Sequence, residues 1–176
     1  ELSGVEALFE KAARNSMAGI ALIADKNNVY GLGIALEKEE VYYIPAEGLL
    51  SGEYLCEKLR KLGEATVISA MDIKMLLKYV ESLEPERVFD LGIGAYLLNP
   101  LKSSYTYEDI AREYIGGISI PSREELLGKE TYEKAWEKSS ENMGICACYQ
   151  AFTAYAAREK TEAKLKETGM WQVYTD

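Results

Sequence analysis

Carboxylates are the side chains of this sequence that could support metal-dependent chemistry. Asp25, Asp72 and Glu141 could together hold a divalent cation if the fold brought them to one place, because hard cations such as Mg²⁺ require oxygen ligands. The chain contains no histidine. This removes Ser-His-Asp and Cys-His catalysis, and it also removes the commonest transition-metal ligand.

The cysteines do not indicate a disulfide framework or a zinc site. The chain has three cysteines, Cys56, Cys146 and Cys148. An odd number in a sequence that is typical of cytosolic proteins argues against paired disulfides. Cys146 and Cys148 are two residues apart, which is not the C-x₂-C spacing of a zinc site, and on a helix they point to different sides. We therefore predict that the cysteines are small buried hydrophobic residues.

The composition is that of an ordinary globular domain. Of 176 residues, 48% are hydrophobic and 28% are charged, which is enough for one domain with a sizeable core, and we predict a single domain over residues 1–176. No apolar run approaches the ~20 residues that a membrane span needs. Residues 1–14 are charged and helix-like, unlike a signal or transit peptide. We expect a cytoplasmic protein without membrane contact.

The net charge limits the possible partners. The chain carries a formal charge of −9 and has no evident cluster of basic residues. Because nucleic-acid binding draws most of its affinity from Lys and Arg on phosphates, we expect this domain alone to bind DNA weakly or not at all.

The apolar pattern predicts strands first and helices later. The predicted strands cover residues 18–24, 29–36, 41–44, 65–68 and 87–90. The first three are joined by short connectors and are therefore expected to be antiparallel neighbours, whereas the last two each follow a helix. This order predicts an α/β domain with the ribonuclease-H-like fold, in which helices flank a mixed five-stranded sheet.

Apolar spacing and capping residues predict the positions of the helices. The predicted helices cover residues 5–13, 52–62, 70–79, 91–98, 106–114 and 129–168, and a further one starts at Ser122. Ser51 is a plausible N-cap and Gly63 a plausible end for the second of these. Ser69, with Asp72 three residues later, is a plausible N-cap for the third. An S-x-x-E capping box starts at Ser122.

Breaks in the second half are less sharply marked. Gly116 and Gly117 are expected to stop the helix that begins at Thr106. Residues 129–168 predict either one long helix or two consecutive ones, with a break near Ser139 and Ser140 or at Gly144.

The most specific local pattern lies in the middle of the chain. Residues 89–100 read FDLGIGAYLLNP, and residues 104–115 read SYTYEDIAREYI. This stretch resembles the F-D-x-x-x-x-A-Y-L-L-[ND]-P … Y-x-x-x-x-[IL]-A-x-x-Y segment in the 3′–5′ exonuclease-like domain of bacterial DNA polymerase I, a family A DNA polymerase. Residues 168–176 also resemble the stretch that precedes the polymerase region, and the resemblance extends from Ala18 onward.

The resemblance implies a DEDD exonuclease domain excised from a larger polymerase. The polymerase region of the same chain would be its partner, and DNA would be contacted through the parent protein. Active members of the family use four carboxylates to hold two divalent cations, which activate a water and stabilise the leaving oxygen. Each motif that supplies these carboxylates can be compared with the sequence.

The first motif, D-x-E, falls at the end of the first predicted strand. Aligned on the apolar residues, its two positions correspond to Ile23 and Asp25, and in a shifted register they correspond to Asp25 and Asn27. One carboxylate survives at most in either register. A simpler interpretation of Asp25 is a turn residue at the end of a strand.

The second motif, N-x-K-[FY]-D, corresponds to Asp72-x-Lys74, which places Leu76 where the family has its metal-binding Asp. A different register would make Asp72 the ligand, but it would break the match at Lys74. Without a metal, Asp72 is a helix-start residue whose charge suits the helix dipole.

The third motif, Y-x-x-x-D, corresponds to Cys146 and Gln150 on a late helix, where an i to i+4 spacing puts both on one face. Gln150 is neutral, and a thiol cannot replace the phenol that orients the water. Glu141 is a nearby acid outside this frame.

We therefore predict a vestigial proofreading domain with no catalytic, cofactor-binding or metal-binding residues and no cofactor. One alternative is an active metal-dependent exonuclease in which Asp25, Asp72 and Glu141 converge on a cation. Another is an unrelated interaction domain that shares the fold. The 13 tyrosines could stack on bases, but their spacing favours half-buried packing roles.

Overall fold

The computed structural model describes residues 2–102, 104–116 and 118–175. In chain order, their elements are α1 Leu2–Ala13, β1 Met17–Ala24, β2 Val29–Glu37, β3 Glu40–Pro45, α2 Gly52–Ala65, β4 Val67–Ala70, α3 Ile73–Tyr79, a 3₁₀ turn Pro85–Arg87, β5 Val88–Asp90, α4 Leu91–Leu98, α5 Tyr107–Tyr114, α6 Arg123–Leu127, α7 Tyr132–Lys138, α8 Ser140–Ala156, α9 Arg158–Glu167 and α10 Trp171–Thr175. Glu1, Gly117 and Asp176 fall in segments interpreted from the sequence but lie outside the described residues.

The strands form one mixed sheet in the order β3-β2-β1-β4-β5. β1 and β2 pair antiparallel, as do β2 and β3, because short connectors join them. β4 pairs parallel with β1 and with β5, since helices connect these strands. The predicted five-stranded mixed sheet with flanking helices is thus the observed one.

Helix α8 crosses one face of the sheet at unusually short range. A Cβ at Gly19 in β1 would lie 2.7 Å from the Tyr155 nitrogen, and a Cβ at Gly33 in β2 would lie 2.9 Å from the Ala147 carbonyl carbon. The buried Ser69 hydroxyl of β4 donates to the Ala154 carbonyl at 2.7 Å. Glycines in the strands therefore allow the helix backbone to approach the sheet.

Buried side chains form three clusters. The first core lies on the face of the sheet that α1, α2 and α3 cover, and it contains Ile20, Leu32, Leu55, Leu59 and Leu76. The second core lies on the opposite face under α8, and it contains Ala21, Ile23, Tyr107, Cys146 and Ala147. The third core contains Phe89, Leu91, Ile110, Ala154 and Leu165. The alternation along β1 decides which residues face which core.

Several glycine and serine predictions were wrong. Gly63 lies inside α2, where its missing side chain makes room for Leu83, and Gly144 lies inside α8, where a Cβ would be 2.8 Å from the Tyr43 ring. Ser69 is a buried strand residue, so Asp72 alone caps α3. These glycines provide close approach between elements rather than helix ends.

The long helical region is divided differently from the prediction. Residues 129–168 contain three helices, with breaks at Ser139 and at Ala157. The break at Ser139 matches one of the two predicted positions. The capping boxes at Thr106 and at Ser122 are both present, and the one at Ser122 confirms the predicted start of α6. Among the described helices, none is long and apolar enough to cross a membrane.

Candidate functional site

The first motif position, Ile23, lies in an apolar environment. Its side chain is 1% exposed and belongs to the second core, together with Ala147 and Cys146 of α8. The partly buried Met71 packs against the same core. The position where the aligned family carries a carboxylate is therefore filled by a buried aliphatic side chain.

Both carboxylate oxygens of Asp25 accept hydrogen bonds within or beside the turn that follows β1. One carboxylate oxygen accepts the Asn27 and Asn28 amides at 2.8 and 2.9 Å, and the other accepts the Tyr30 hydroxyl at 2.6 Å. The Tyr30 hydrogen bond, the two amides and the charge of Lys78 lower the pKa of Asp25 against a smaller opposing effect of burial. Burial, and then the bond to Asp25, raises the pKa of Tyr30 to about 12.

Other contacts close this turn further and match the interpretation of Asp25 as a turn residue. The Tyr79 hydroxyl donates to the Asp25 carbonyl at 2.6 Å, and Lys78 donates to the Lys26 carbonyl at 2.9 Å. Asn27, the second position of the shifted register, lines a cavity beside the start of α2 with Ser51. It does not line the second core.

The two residues of the second motif lie in different places: Asp72 is at the surface, and Leu76 is on the face of the sheet opposite to Ile23. Asp72 is exposed and accepts the Lys74 amide at 2.9 Å, as a helix cap does. Leu76 is 2% exposed and lies in the first core. Because Ile23 lies in the second core, the structure does not bring these two aligned positions together.

The third motif is held on one face of α8, as its spacing predicts. The Gln150 amide nitrogen lies 3.4 Å from the Cys146 sulfur and 3.5 Å from the Tyr132 hydroxyl oxygen. The Tyr107 hydroxyl oxygen lies 3.8 Å from the same sulfur and donates to the Pro121 carbonyl at 2.5 Å. Burial is the main reason that the pKa of the Cys146 thiol is raised, so the thiol form is favoured.

The prediction that the cysteines are buried holds for Cys146 and only in part for Cys56 and Cys148. Cys146 is fully buried, Cys56 and Cys148 are partly buried, and all three are free. Burial raises the pKa of each thiol. They behave as small packing residues.

Aromatic side chains of the second half pack on the same core as Ile23, which the sequence did not predict. Trp136 of α7 lies against Tyr30 with ring centroids 6.1 Å apart, and Tyr132 packs on the same second core. Arg123 stacks over the Tyr132 ring at 4.4 Å. The spacing of Tyr132 and Trp136, four residues apart after the Thr131 cap, was the available signal.

The remaining acid does not approach the others. Glu141 stands in the first turn of α8 beside an apolar groove next to β3, which Lys38 and Tyr43 also line. Over residues 2–102, 104–116 and 118–175, no group of three or more His, Cys, Asp or Glu side chains is placed to hold a metal ion. Ile23, Leu76 and Cys146 offer no hard oxygen, so these aligned positions do not fit a pair of divalent cations.

Comparisons with known proteins address the fold. No protein-family model matches the sequence, and no curated protein matches it. The structure is similar to the POL domain of Pol1 from M. smegmatis in a complex with DNA primer-template and dNTP, with a TM-score of 0.68 and 14% identity over 96% of this chain. It is also similar to the Aedes aegypti Nibbler EXO domain, with a TM-score of 0.55 and 15% identity over 93% of this chain and 85% of that one. The fold is exonuclease-like.

These similarities confirm the predicted α/β ribonuclease-H-like fold, and at such low identity they show the fold alone. The chain spans 27% of the length of the M. smegmatis polymerase chain that it matches.

Proposed function

We propose that this chain is a non-catalytic, vestigial proofreading domain of a bacterial DNA polymerase I. Its parent protein would be a DNA-directed DNA polymerase that acts in replication and repair. Two observations support this origin: the similarity to a polymerase over nearly the whole chain, and the motif in residues 89–115. Phe89, Leu91 and Ile110 of that motif are buried in the third core, so the motif serves packing rather than chemistry.

The observation that carries the non-catalytic part is the burial of Ile23. A divalent cation requires oxygen ligands, and a buried aliphatic side chain offers none. Gln150, the aligned position on α8, is engaged with Cys146 and Tyr132. With neutral groups at these positions, too little negative charge remains near the end of β1 to hold two cations.

The proposed role is mechanical support of the polymerase region of the same chain. A domain whose former cleft is packed with side chains is a rigid body against which another domain can bury surface. The net charge of −9 gives this domain little attraction for phosphates, so DNA would be bound through the parent protein. The cytoplasmic location remains a prediction.

A nuclease assay tests the proposal. The chain is incubated with 3′-end-labelled single-stranded DNA and Mg²⁺ or Mn²⁺, and we expect no release of labelled mononucleotides above a protein-free control. Asp25→Ala and Asp72→Ala should behave like the parent chain, because both carboxylates serve turns and caps. Metal-dependent release that either substitution abolishes would overturn the proposal.

The alternative of an active exonuclease needs Asp25, Asp72 and Glu141 at one cation. Asp25 is bound in its turn, Asp72 caps α3, and Glu141 lies beside β3. None of these placements favours the alternative. Calorimetric titration with Mg²⁺ separates the two functions, because heats of binding at millimolar metal would support the exonuclease. An unrelated interaction domain would give neither activity nor an association with a polymerase region.

A further inference from the structure

The last helix, α10, depends on its contacts with the rest of the domain. It spans only Trp171–Thr175, contains no buried residue, and follows a turn at Gly169 with φ of 79°. Because a helix of this length is not stable in water on its own hydrogen bonds, its position must come from tertiary contacts.

Helix α10 packs against α9 and α4, and its aromatic side chains also reach the end of β5. The Tyr174 and Trp171 rings lie 5.0 and 6.4 Å from the Phe89 ring, centroid to centroid. The Tyr174 hydroxyl oxygen accepts the Asp90 amide at 2.7 Å. Lys166 of α9 lies over the Trp171 ring at 4.9 Å. Two aromatic contacts and one hydrogen bond therefore join the helix to the sheet, in addition to its packing on α9 and α4.

These contacts cover an edge of the sheet. β5 is a terminal strand, yet Phe89 and Asp90 are only 4% and 5% exposed. An edge strand presents backbone N–H groups without strand partners, and Tyr174 satisfies the one at Asp90. Between β5, α9 and α10 lies a cavity of about 520 Å³ that Ile93 and Arg158 also line. When α10 is in place, it closes one side of this cavity.

We propose that α10 detaches reversibly from β5 while the rest of the domain stays folded, and we call this helix the latch. The hydrogen bond that the Tyr174 hydroxyl accepts from the Asp90 amide stabilises the closed state. Elements with few buried contacts open at much lower free energy than the global unfolding transition. Opening exposes the Phe89 ring, the Asp90 amide and the cavity to solvent. The inference does not depend on whether the domain is catalytic.

Amide hydrogen exchange of the 176-residue chain tests the latch. We expect the Asp90 amide to exchange faster than the amides of β1 and with little dependence on low urea concentrations, because local opening exposes little surface. Tyr174→Phe keeps the ring and removes the acceptor. It should speed exchange at Asp90 about five-fold, the equivalent of a typical hydrogen bond of about 1 kcal/mol. Val173→Ala, at a position that is 54% exposed on the same helix, should leave the rate unchanged.

Fluorescence gives a second readout. The chain has two tryptophans, and Trp136→Phe leaves Trp171 as the sole emitter. In that background, Tyr174→Ala should increase acrylamide quenching of Trp171, whereas Val173→Ala should not. Asp90 exchange as slow and as urea-dependent as that of β1 would overturn independent opening. Equal Asp90 rates in Tyr174→Phe and the parent chain would overturn the role of the hydroxyl.

Discussion

Placing a carboxylate at Ile23, where the D-x-E motif of the similar exonucleases aligns, should damage the fold rather than create a metal site. Ile23→Asp removes an aliphatic side chain that is 1% exposed in the second core. Loss of that buried apolar surface is worth about 2–3 kcal/mol. An Asp at this depth must stay neutral with an unsatisfied polar group or carry an unpaired charge, and either costs about 2–3 kcal/mol or more. The expected loss of about 5 kcal/mol is comparable to the whole stability of a domain at the lower end of the usual range of about 5–15 kcal/mol.

Urea unfolding followed by circular dichroism measures this loss. Ile23→Val serves as the packing control and should cost only about 0.5–1.5 kcal/mol. Leu101→Asp, at a position that is 96% exposed, serves as the charge control and should change stability by about 0.5 kcal/mol or less. Each variant is measured with EDTA and again with millimolar Mg²⁺ or Mn²⁺.

The measurements with metal distinguish an apolar core around Ile23 from a site that can still hold a cation. If Ile23 packs in a dry apolar core, metal will not rescue Ile23→Asp, since Cys146 and Gln150 supply no further carboxylate. An Ile23→Asp variant that is about as stable as Ile23→Val, and that Mg²⁺ stabilises further, would refute the reasoning. It would show that oxygen ligands and space for a cation remain beside β1.

Three further changes test other parts of the structure by urea unfolding. Gly33→Ala should destabilise the domain by about 1–3 kcal/mol, because its Cβ would press on the backbone of α8, whereas Gly4→Ala meets nothing within 4 Å and should not. Tyr30→Phe removes the bond that does most to lower the pKa of Asp25. A lowered folded-state pKa adds stability above the unfolded value of about 4, and that stability is lost as the pH falls through the folded pKa, so the deficit of Tyr30→Phe should be present near neutral pH and shrink in acid. An equal deficit at every pH would contradict this account. Ser69→Ala should cost about 1 kcal/mol because it leaves a buried carbonyl of α8 without its donor, and an unchanged urea midpoint would contradict it.

The sheet could be predicted because its strands are apolar runs bounded by turn residues. Residues 18–24 and 29–36 form strands of a sheet that is covered on both faces. Nearly every position is therefore apolar, and a continuous apolar run replaces the alternation of apolar and polar residues that is typical of a half-exposed strand. Capping boxes are equally local, which is why the start at Ser122 was found. Signals of this kind need no knowledge of the rest of the fold.

Local sequence pattern does not reveal the role of glycines and serines that act through tertiary contacts. Gly63 and Gly144 look like helix ends in the sequence, but Leu83 and the Tyr43 ring occupy the space that their missing side chains leave. Ser69 looks like a cap, but its hydroxyl reaches a carbonyl 85 residues away. The partner of each residue is remote in sequence, so local pattern gave no information about it.

The candidate site shows the same limit. Alignment of motifs correctly placed Cys146 and Gln150 on one face of α8, because an i to i+4 pair on a helix is a local property. It could not show that Ile23 and Leu76 belong to cores on opposite faces of the sheet. The capping signal at Ser69 predicts a start of α3 before Asp72, whereas the helix begins after Asp72.

The filling of the former cleft connects the absence of ligands to the proposed supporting role. A metal site must keep charged groups hydrated or paired, and that requirement weakens packing around it. With Ile23 and Cys146 in place of charged or polar groups, Trp136 and Tyr30 can pack in the same region and contribute burial instead. The face of β1 that would hold the cations in an active exonuclease is here part of a continuous core under α8. Under the proposed function, each neutral residue would remove a ligand and add packing contacts in its place, which suits a domain that supports a polymerase region.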